Sequence, residues 1–460
     1  MKKLVTILFG IILCIPATKA QWRVNTIGTM PNNQALSIVV AEGRNDGVKR
    51  VYATTDTEIW EWTFNGTTWS SSLVVNGITP DLISLTAGQG RNDGNVRLYY
   101  TDWASGGKSY EASWNGSSWN VLTVGTVPSG WHSSGITVGK GRNDGINRVY
   151  TTGSYGVYEY SWNGSSWSMT NNVASNWSEM YGAIGNSRND GVNRLLFSAS
   201  CHWESTWTGS SYNTVGLSNC SSSQGADGVV IGDGRNDGVS RIYVNTELAG
   251  RIEYTWNGSG FTPVQVRQAS QRGAIHMAAL KADQKNRVYM GNAFVFNASS
   301  AGPIYEYEWN SSTSQWDSVG VVISAVSGAT AFMDAGAGRN DDTLRLYAPD
   351  FSTGAIYEIT AANPNFIGGP TTVIPEVADE AEVSVSPNPA KGRVKINVIE
   401  SDQHDYTIRL FGLLGQEVLR VNAVNLSGEY VMDVSGITKG VYLLVLNNGS
   451  ATYSQKLVIE

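Results

Sequence analysis

Ten side chains stand outside the regularities of this 460-residue sequence: Trp103, Trp131, His132, Trp177, Glu179, Tyr181, His202, Trp203, Arg272 and His276. Their types fit two chemistries. Indole and phenol rings offer flat apolar faces on which a sugar ring stacks, while Glu, His and Arg hydrogen-bond hydroxyl or carboxylate groups. In the other chemistry, His132, His202, His276 or Tyr181 would act as base and Arg272 would neutralise a uronate during β-elimination. No Gly-x-Ser-x-Gly elbow, zinc-ligand spacing or phosphate loop accompanies them, so no catalytic residue is assigned.

A second group recurs along the chain as Arg-Asn-Asp turns. Oxygen-rich turns invite Ca2+, yet each offers one Asp beside an Arg, as in Arg44 and Asp46 or Arg235 and Asp237, and a tight site needs several converging carboxylates. An Asp that caps its own turn and pairs with the neighbouring Arg explains the pattern more simply. No cofactor is expected, with Ca2+ the one candidate ion.

The elements that must position these residues are repeats. Aligned on the Arg that closes each turn, the chain gives Arg50, Arg97, Arg148, Arg194, Arg241, Arg287 and Arg345, spaced 46 to 58 residues apart, a period that fits propeller blades. In each unit a small-residue strand runs into the turn, a second strand follows (Arg148 to Thr152), and a third alternates, as in Val157 to Ser161. Asn-Gly then turns the chain, as at Asn163-Gly164, and Trp167 opens a fourth strand. Seven such units predict a seven-bladed β-propeller over residues 21–360. Ala41, Gly88, Gly139, Gly185, Gly232 and Gly336, two places before their turns, fit an innermost strand crowded around the axis. The segment from Trp22 to Pro31 resembles a fourth strand and its exit, Trp119 to Pro128, and so is expected to complete the last blade and remove the open edge. Phe366 to Val373 competes for that place, although Pro370 makes it a poorer ladder strand.

On a propeller, the turns joining first to second and third to fourth strands share one face, and these are the repetitive ones. The ten individual residues fall in the loops of the opposite face, where function concentrates. As loop residues, Arg272 and His202 should be replaceable by Ala without loss of the fold. The Trp-Asn-Gly-Ser-Ser-Trp segments are expected to pack between blades.

Composition agrees with a large turn-rich β-protein: 51 Gly, 16 Trp, 21 Tyr and 15% charged residues. Residues 1–20 read as a signal peptide, with Lys2 and Lys3 ahead of an apolar stretch and Thr18-Lys19-Ala20 at the cleavage site. Its removal takes Lys+Arg from 32 to 29 against 39 acids, a charge of −10 that argues against nucleic acid as a partner. No later apolar run is long enough for a transmembrane segment. Cys201 and Cys220 remain, and in an oxidising compartment they are expected to form a disulfide.

Residues 361–381 lose the repeat and read as a linker. Residues 382–460 then show short alternating strands suited to a small Ig-like β-sandwich, so the whole chain is all-β. Within them stand Pro387-Asn388-Pro389, Gly415-Gln416, Gly440-Val441-Tyr442 and, near the end, Lys456-Leu457-Val458-Ile459. In this order the motifs resemble the C-terminal sorting domain of type IX secretion cargo. That resemblance implies a Bacteroidota-type bacterium, Sec export, passage across the outer membrane by the type IX machinery as partner, and release or attachment at the cell surface.

The resemblance names no cargo function. The blades distantly resemble those of propeller lectins, which implies a carbohydrate-binding protein with a polysaccharide or glycan ligand. The alternatives are a lyase acting on uronic-acid polymers and an adhesive surface protein that binds another protein. Because the aromatic residues of the variable face do not recur with the period, a single one-sided site is expected.

Overall fold

Each Arg-Asn-Asp turn reverses the chain through backbone that few residues adopt. Asn143 sits at φ 61° and Gly145 at φ 81°, the left-handed region open to Gly and, among other residues, chiefly to Asn and Asp. Asp144 Oδ1 accepts a hydrogen bond from Ile146 N at 3.1 Å, closing the turn on itself. Flanking β-branched and aromatic residues then extend as strands, and the Asn163-Gly164 turn pairs Trp162 with Trp167.

The computed structural model describes residues 22–361 and 382–460, except 79–81, 103–105, 129–132, 154–155, 176–180, 199–201, 218–225, 247–249, 268–272, 292–300, 328–331, 400–403, 413–416, 427 and 448–451. The chain divides into two units, residues 1–367 and 368–460. The first contains seven four-stranded antiparallel sheets; in blade 3 the strands are Ser133–Gly139, Arg148–Gly153, Gly156–Trp162 and Trp167–Ser175. This is a seven-bladed β-propeller.

Its closure follows the expectation. The strand Trp22–Thr29 pairs antiparallel with Ala355–Ala361 and forms the fourth strand of blade 7. Phe366 to Val373 lies outside the described residues, as do residues 1–20, expected as a signal peptide, Cys201, Cys220 and all of the expected linker but Ala361, which ends a strand. The small residues that end the innermost strands are required by the next blade. A Cβ on Gly139 would lie 3.0 Å from Ile184 Cδ1, and one on Gly336 would lie 2.6 Å from Val40 Cγ1.

The second unit is a small Ig-like β-sandwich. Its strands pair in the order Glu417–Leu426, His404–Gly412, Gly440–Asn447, Thr452–Ile459, Glu382–Lys391, Arg393–Ile399 and Gly428–Asp433, the fifth joining the fourth in parallel at Ala390 and Ile459. Alternation sends Ile408, Leu410, Leu444, Leu446 and Leu457 into a core shared with Val394 and Ile396. The strand Glu382–Lys391 was not foreseen: it carries Pro387 and Pro389, which leave its pairing with Arg393–Ile399 interrupted between Ser386 and Lys391. The Asn388 side chain instead bonds the last strand, donating to Lys456 O at 2.7 Å and accepting from Val458 N at 2.9 Å. Among the described residues no helix is long and apolar enough to cross a membrane.

Replacement of Gly336 by Val drives a branched side chain into Val40 and should cost about 1–3 kcal/mol of stability. Gly320→Val, where an added Cβ meets nothing within 4 Å, should change it by no more than about 0.5 kcal/mol. Urea denaturation of both variants checks the difference.

Candidate binding sites between the blades and along the axis

Each third strand buries a carboxylate: Glu61, Glu111, Glu159, Glu204, Glu253, Glu306 and Glu358 are all at most 1% exposed. A buried charge is tolerated only when paired and hydrogen-bonded. Glu159 meets both conditions. It accepts from Arg142 Nε at 2.9 Å and from Nη2, and also from Thr170 Oγ1 at 2.6 Å, Tyr150 Oη at 3.1 Å and Tyr212 Oη at 2.7 Å. Burial alone would raise its carboxyl; the bonds from Arg142, Thr170 and Tyr212 outweigh that and hold it below the usual range.

The first Arg of each turn is therefore a partner of this glutamate, as in Arg44 with Glu61 and Arg235 with Glu253. This corrects the expected pairing of Arg44 with Asp46 and of Arg235 with Asp237. Asp46 instead grips Arg50, with Arg50 Nη1 at 2.8 Å and Nη2 at 2.7 Å, and Asp237 grips Arg241. Arg44 is taken up by Glu61, while Arg50, four residues on, approaches Asp46 end-on with both terminal nitrogens. Each Asp oxygen already accepts from a guanidinium.

The same turns stitch neighbouring blades. The Arg44 guanidinium lies over the Trp114 ring of blade 2 at 4.1 Å, and the contact repeats for Arg91 on Trp162, Arg142 on Trp207, Arg188 on Trp256 and Arg235 on Trp309. Asn45 reaches across to the next turn, donating to Val96 O at 2.9 Å and accepting from Val96 N at 2.6 Å. Asn92, Asn143, Asn189, Asn236 and Asn340 make the corresponding pair of bonds. Blade 6 departs from this pattern: Ala282 stands in the Asn position, Gln284 in that of the Gly, where it bonds Lys281 O, while Lys281 replaces the Arg and sits 5.4 Å from Trp22. The tryptophans that open fourth strands pack edge-on between blades, Trp119 against Tyr52 at 6.0 Å and Trp167 against Tyr99 at 6.0 Å.

Between blades 1 and 2 this stitching leaves an open groove of about 490 Å³, walled by Arg44, Asn45, Asp46, Arg97, Ser113 and Trp114. Arg44 keeps 24% of its side-chain exposure, and Trp114 is half-buried. The groove thus presents an aromatic edge, a planar cation and several amide and carboxylate groups, with each cation matched by a carboxylate.

A second cavity of about 420 Å³ runs along the axis and is lined by the innermost strands, mainly by Val, Ile, Gly and Thr. His276 and Asp334 are the titratable side chains among its described lining residues. His276 Nε2 lies 4.0 Å from Asp334 Oδ1, too far for a hydrogen bond, and Asp334 Oδ2 accepts from Val40 N at 2.7 Å. Burial lowers the imidazole and raises the carboxyl, each partly opposed by the other.

The residues singled out from the sequence do not assemble into one site. Trp103, Trp131, His132, Trp177, Glu179 and Arg272 lie outside the described residues, and Tyr181 begins the innermost strand of blade 4 with its side chain undescribed. His276 lines the axis. His202, expected in a loop, starts the third strand of blade 4 and is 4% exposed. Its Nδ1 lies 3.2 Å from Ser198 Oγ, and burial lowers it to about 4. It occupies the place of Ile59 and Val157, two residues before the buried glutamate, and is a core residue. Trp203 packs partly buried beside Leu195 and Phe197. The buried glutamates, by contrast, are not singled out by sequence reasoning, although one Glu recurs in every third strand.

Residues 384–460 match the family described as "Secretion system C-terminal sorting domain". No curated protein sequence matches the chain. Among solved structures, a mercury-soaked crystal of BBS1N in complex with ARL6DN aligns at a TM-score of 0.51 with 12% identity, covering 75% of this chain and 97% of that one. The lead-soaked crystal of the same complex aligns at 0.50, again with 12% identity, covering 75% and 98%. PorZ, a surface component of the type-IX secretion system of Porphyromonas gingivalis, aligns at 0.43 with 12% identity, covering 94% of this chain and 60% of that one. At these identities the likeness is one of fold. The tail is a type IX sorting domain, and the chain is exported by that system to the cell surface or beyond.

His202 is neutral in the fold and protonates near 6.5 when unfolded. Between about pH 6.5 and 4 the unfolded chain binds the extra proton, so stability is complete above this window and falls with pH inside it, by about 3 kcal/mol in all. His202→Leu should remove that share of the acid sensitivity, a difference that chemical denaturation of parent and variant at pH 7 and pH 4.5 reads directly.

Proposed function

We propose that this exported propeller is a carbohydrate-binding protein whose sugars lie in the grooves between blades. The observation that carries the reading is the groove bounded by Arg44 and Trp114. Its volume exceeds that of a monosaccharide, and it combines an aromatic edge with densely placed donors and acceptors, the two features that hydroxylated rings require. The guanidinium-over-indole arrangement recurs at five seams, so the binding we assign is multivalent and sits on the repetitive face, where weak single sites add through avidity. The leader at residues 1–20 provides passage across the inner membrane, and the sorting domain carries the propeller outward.

Arg44→Lys keeps a cation beside Glu61 and loses the planar stack on Trp114. A glycan array on the purified exported protein should return bound glycans, and titration calorimetry of Arg44→Lys should then show the apparent number of sites reduced by one. A protein that binds no glycan and releases unsaturated products from uronate polymers would be a lyase instead.

A further inference from the structure

The strand Gly440–Asn447 reads Gly-Val-Tyr-Leu-Leu-Val-Leu-Asn, nearly continuous in apolar residues. A strand with one face in the core and one in water should alternate. Its inward set, Leu444 and Leu446, is buried in the core with Leu457 and Ile459 of the last strand. Because side chains alternate, the register Tyr442 to Leu457 and Leu443 to Lys456 places Val441, Leu443 and Val445 on the outer face beside Val458 and Lys456. Phe411, paired with Leu443, extends that face across a third strand. None of these outer side chains is buried, and Leu443 keeps 46% of its exposure. The face also carries cations: exposed Lys456, and Arg409, whose guanidinium lies 4.6 Å over the Phe411 ring. A small sandwich with apolar side chains on both sides of one sheet has one side too many for its own core, the usual mark of a contact surface.

Two of the motif residues bear on this surface. Lys456 stands on it, and Asn388 holds the strand that carries Lys456 from the other side through Lys456 O and Val458 N, while Tyr442, on the same strand as Leu443, turns inward against the core. We infer that the outer face centred on Leu443 and Lys456 is the docking surface of the sorting domain, and that its occupant is an apolar protein surface of the export machinery bearing an acidic group opposite Lys456. Charge complementarity fixes the sign of that partner, and the exposed aliphatic row supplies the contact area. Asn388 is a positioning residue for the same surface, since it keeps the strand that carries Lys456 in register.

The test is export of the full chain in a type IX-competent bacterium, read as the fraction of protein outside the cell or on its surface. Leu443→Ser and Lys456→Glu lie on an exposed face and should leave the melting temperature of the purified full chain unchanged, while lowering export at least tenfold; Lys456→Arg should export normally. Asn388→Ala should lower export in the same way and Asn388→Asp should not rescue it, because the carboxylate cannot donate to Lys456 O. Normal export of both Leu443→Ser and Lys456→Glu overturns the proposal. So does cosedimentation of the full chain with phosphatidylglycerol vesicles that Lys456→Glu abolishes, which would make the surface a membrane contact.

Discussion

Seven carboxylates buried at the third strands constrain everything else in the propeller. A buried glutamate without partners costs several kcal/mol, so each third strand dictates what must come from elsewhere: an Arg or Lys from its own turn and, in several blades, an aromatic hydroxyl or indole from the next fourth strand. Glu111 shows the full set, taking Arg91, Tyr99 and Trp167 Nε1. The Arg is then held flat, which lets the next blade place an indole against it. One ion pair per blade thus fixes the turn, the hairpin and the spacing to the neighbour together.

The Arg-Asn-Asp turn owes its composition to this division of labour. Arg serves the buried carboxylate and the neighbouring ring, Asn the neighbouring backbone, and Asp its own turn and the Arg four residues on. Each position has a task in holding the ring together, so the turn keeps its sequence wherever the ring needs it. Blade 4 shows that the parts are coupled: where five blades place Gly against a Tyr hydroxyl, as Gly141 against Tyr150, blade 4 has Ser187 and Leu196, and Ser187 Oγ bonds Glu204 in the absent phenol's place.

Blade number, strand order and the closing strand were legible in the sequence because they rest on periodicity, and Trp22 to Pro31 could be matched to Trp119 to Pro128 residue by residue. Pairing was not legible. Glu159 in an alternating strand reads as a solvent-facing position, and its partner Arg142 lies 17 residues back, beyond any local pattern. Arg44 and Asp46 are adjacent enough to invite pairing, yet the strand between turn and partner decides otherwise. His202 was misplaced for a related reason: a residue that breaks a repeat looks functional, while here it fills the site of an aliphatic side chain. The groove of Arg44 and Trp114 is walled by two blades and exists only once both have folded side by side.

The closing strand has a consequence in time. Chains are made from the N-terminus, so Trp22–Thr29 emerges first and its partner Ala355–Ala361 emerges last. Until then the earliest strand has an open edge, and Lys49 waits for Asn340, 291 residues away. The ring cannot certify itself as finished piece by piece; a chain broken off inside blade 7 leaves a horseshoe with two unpaired edges. The sorting domain follows blade 7 in the sequence, so the signal for export is synthesised only after the strand that closes the ring, and an incomplete propeller carries no such signal.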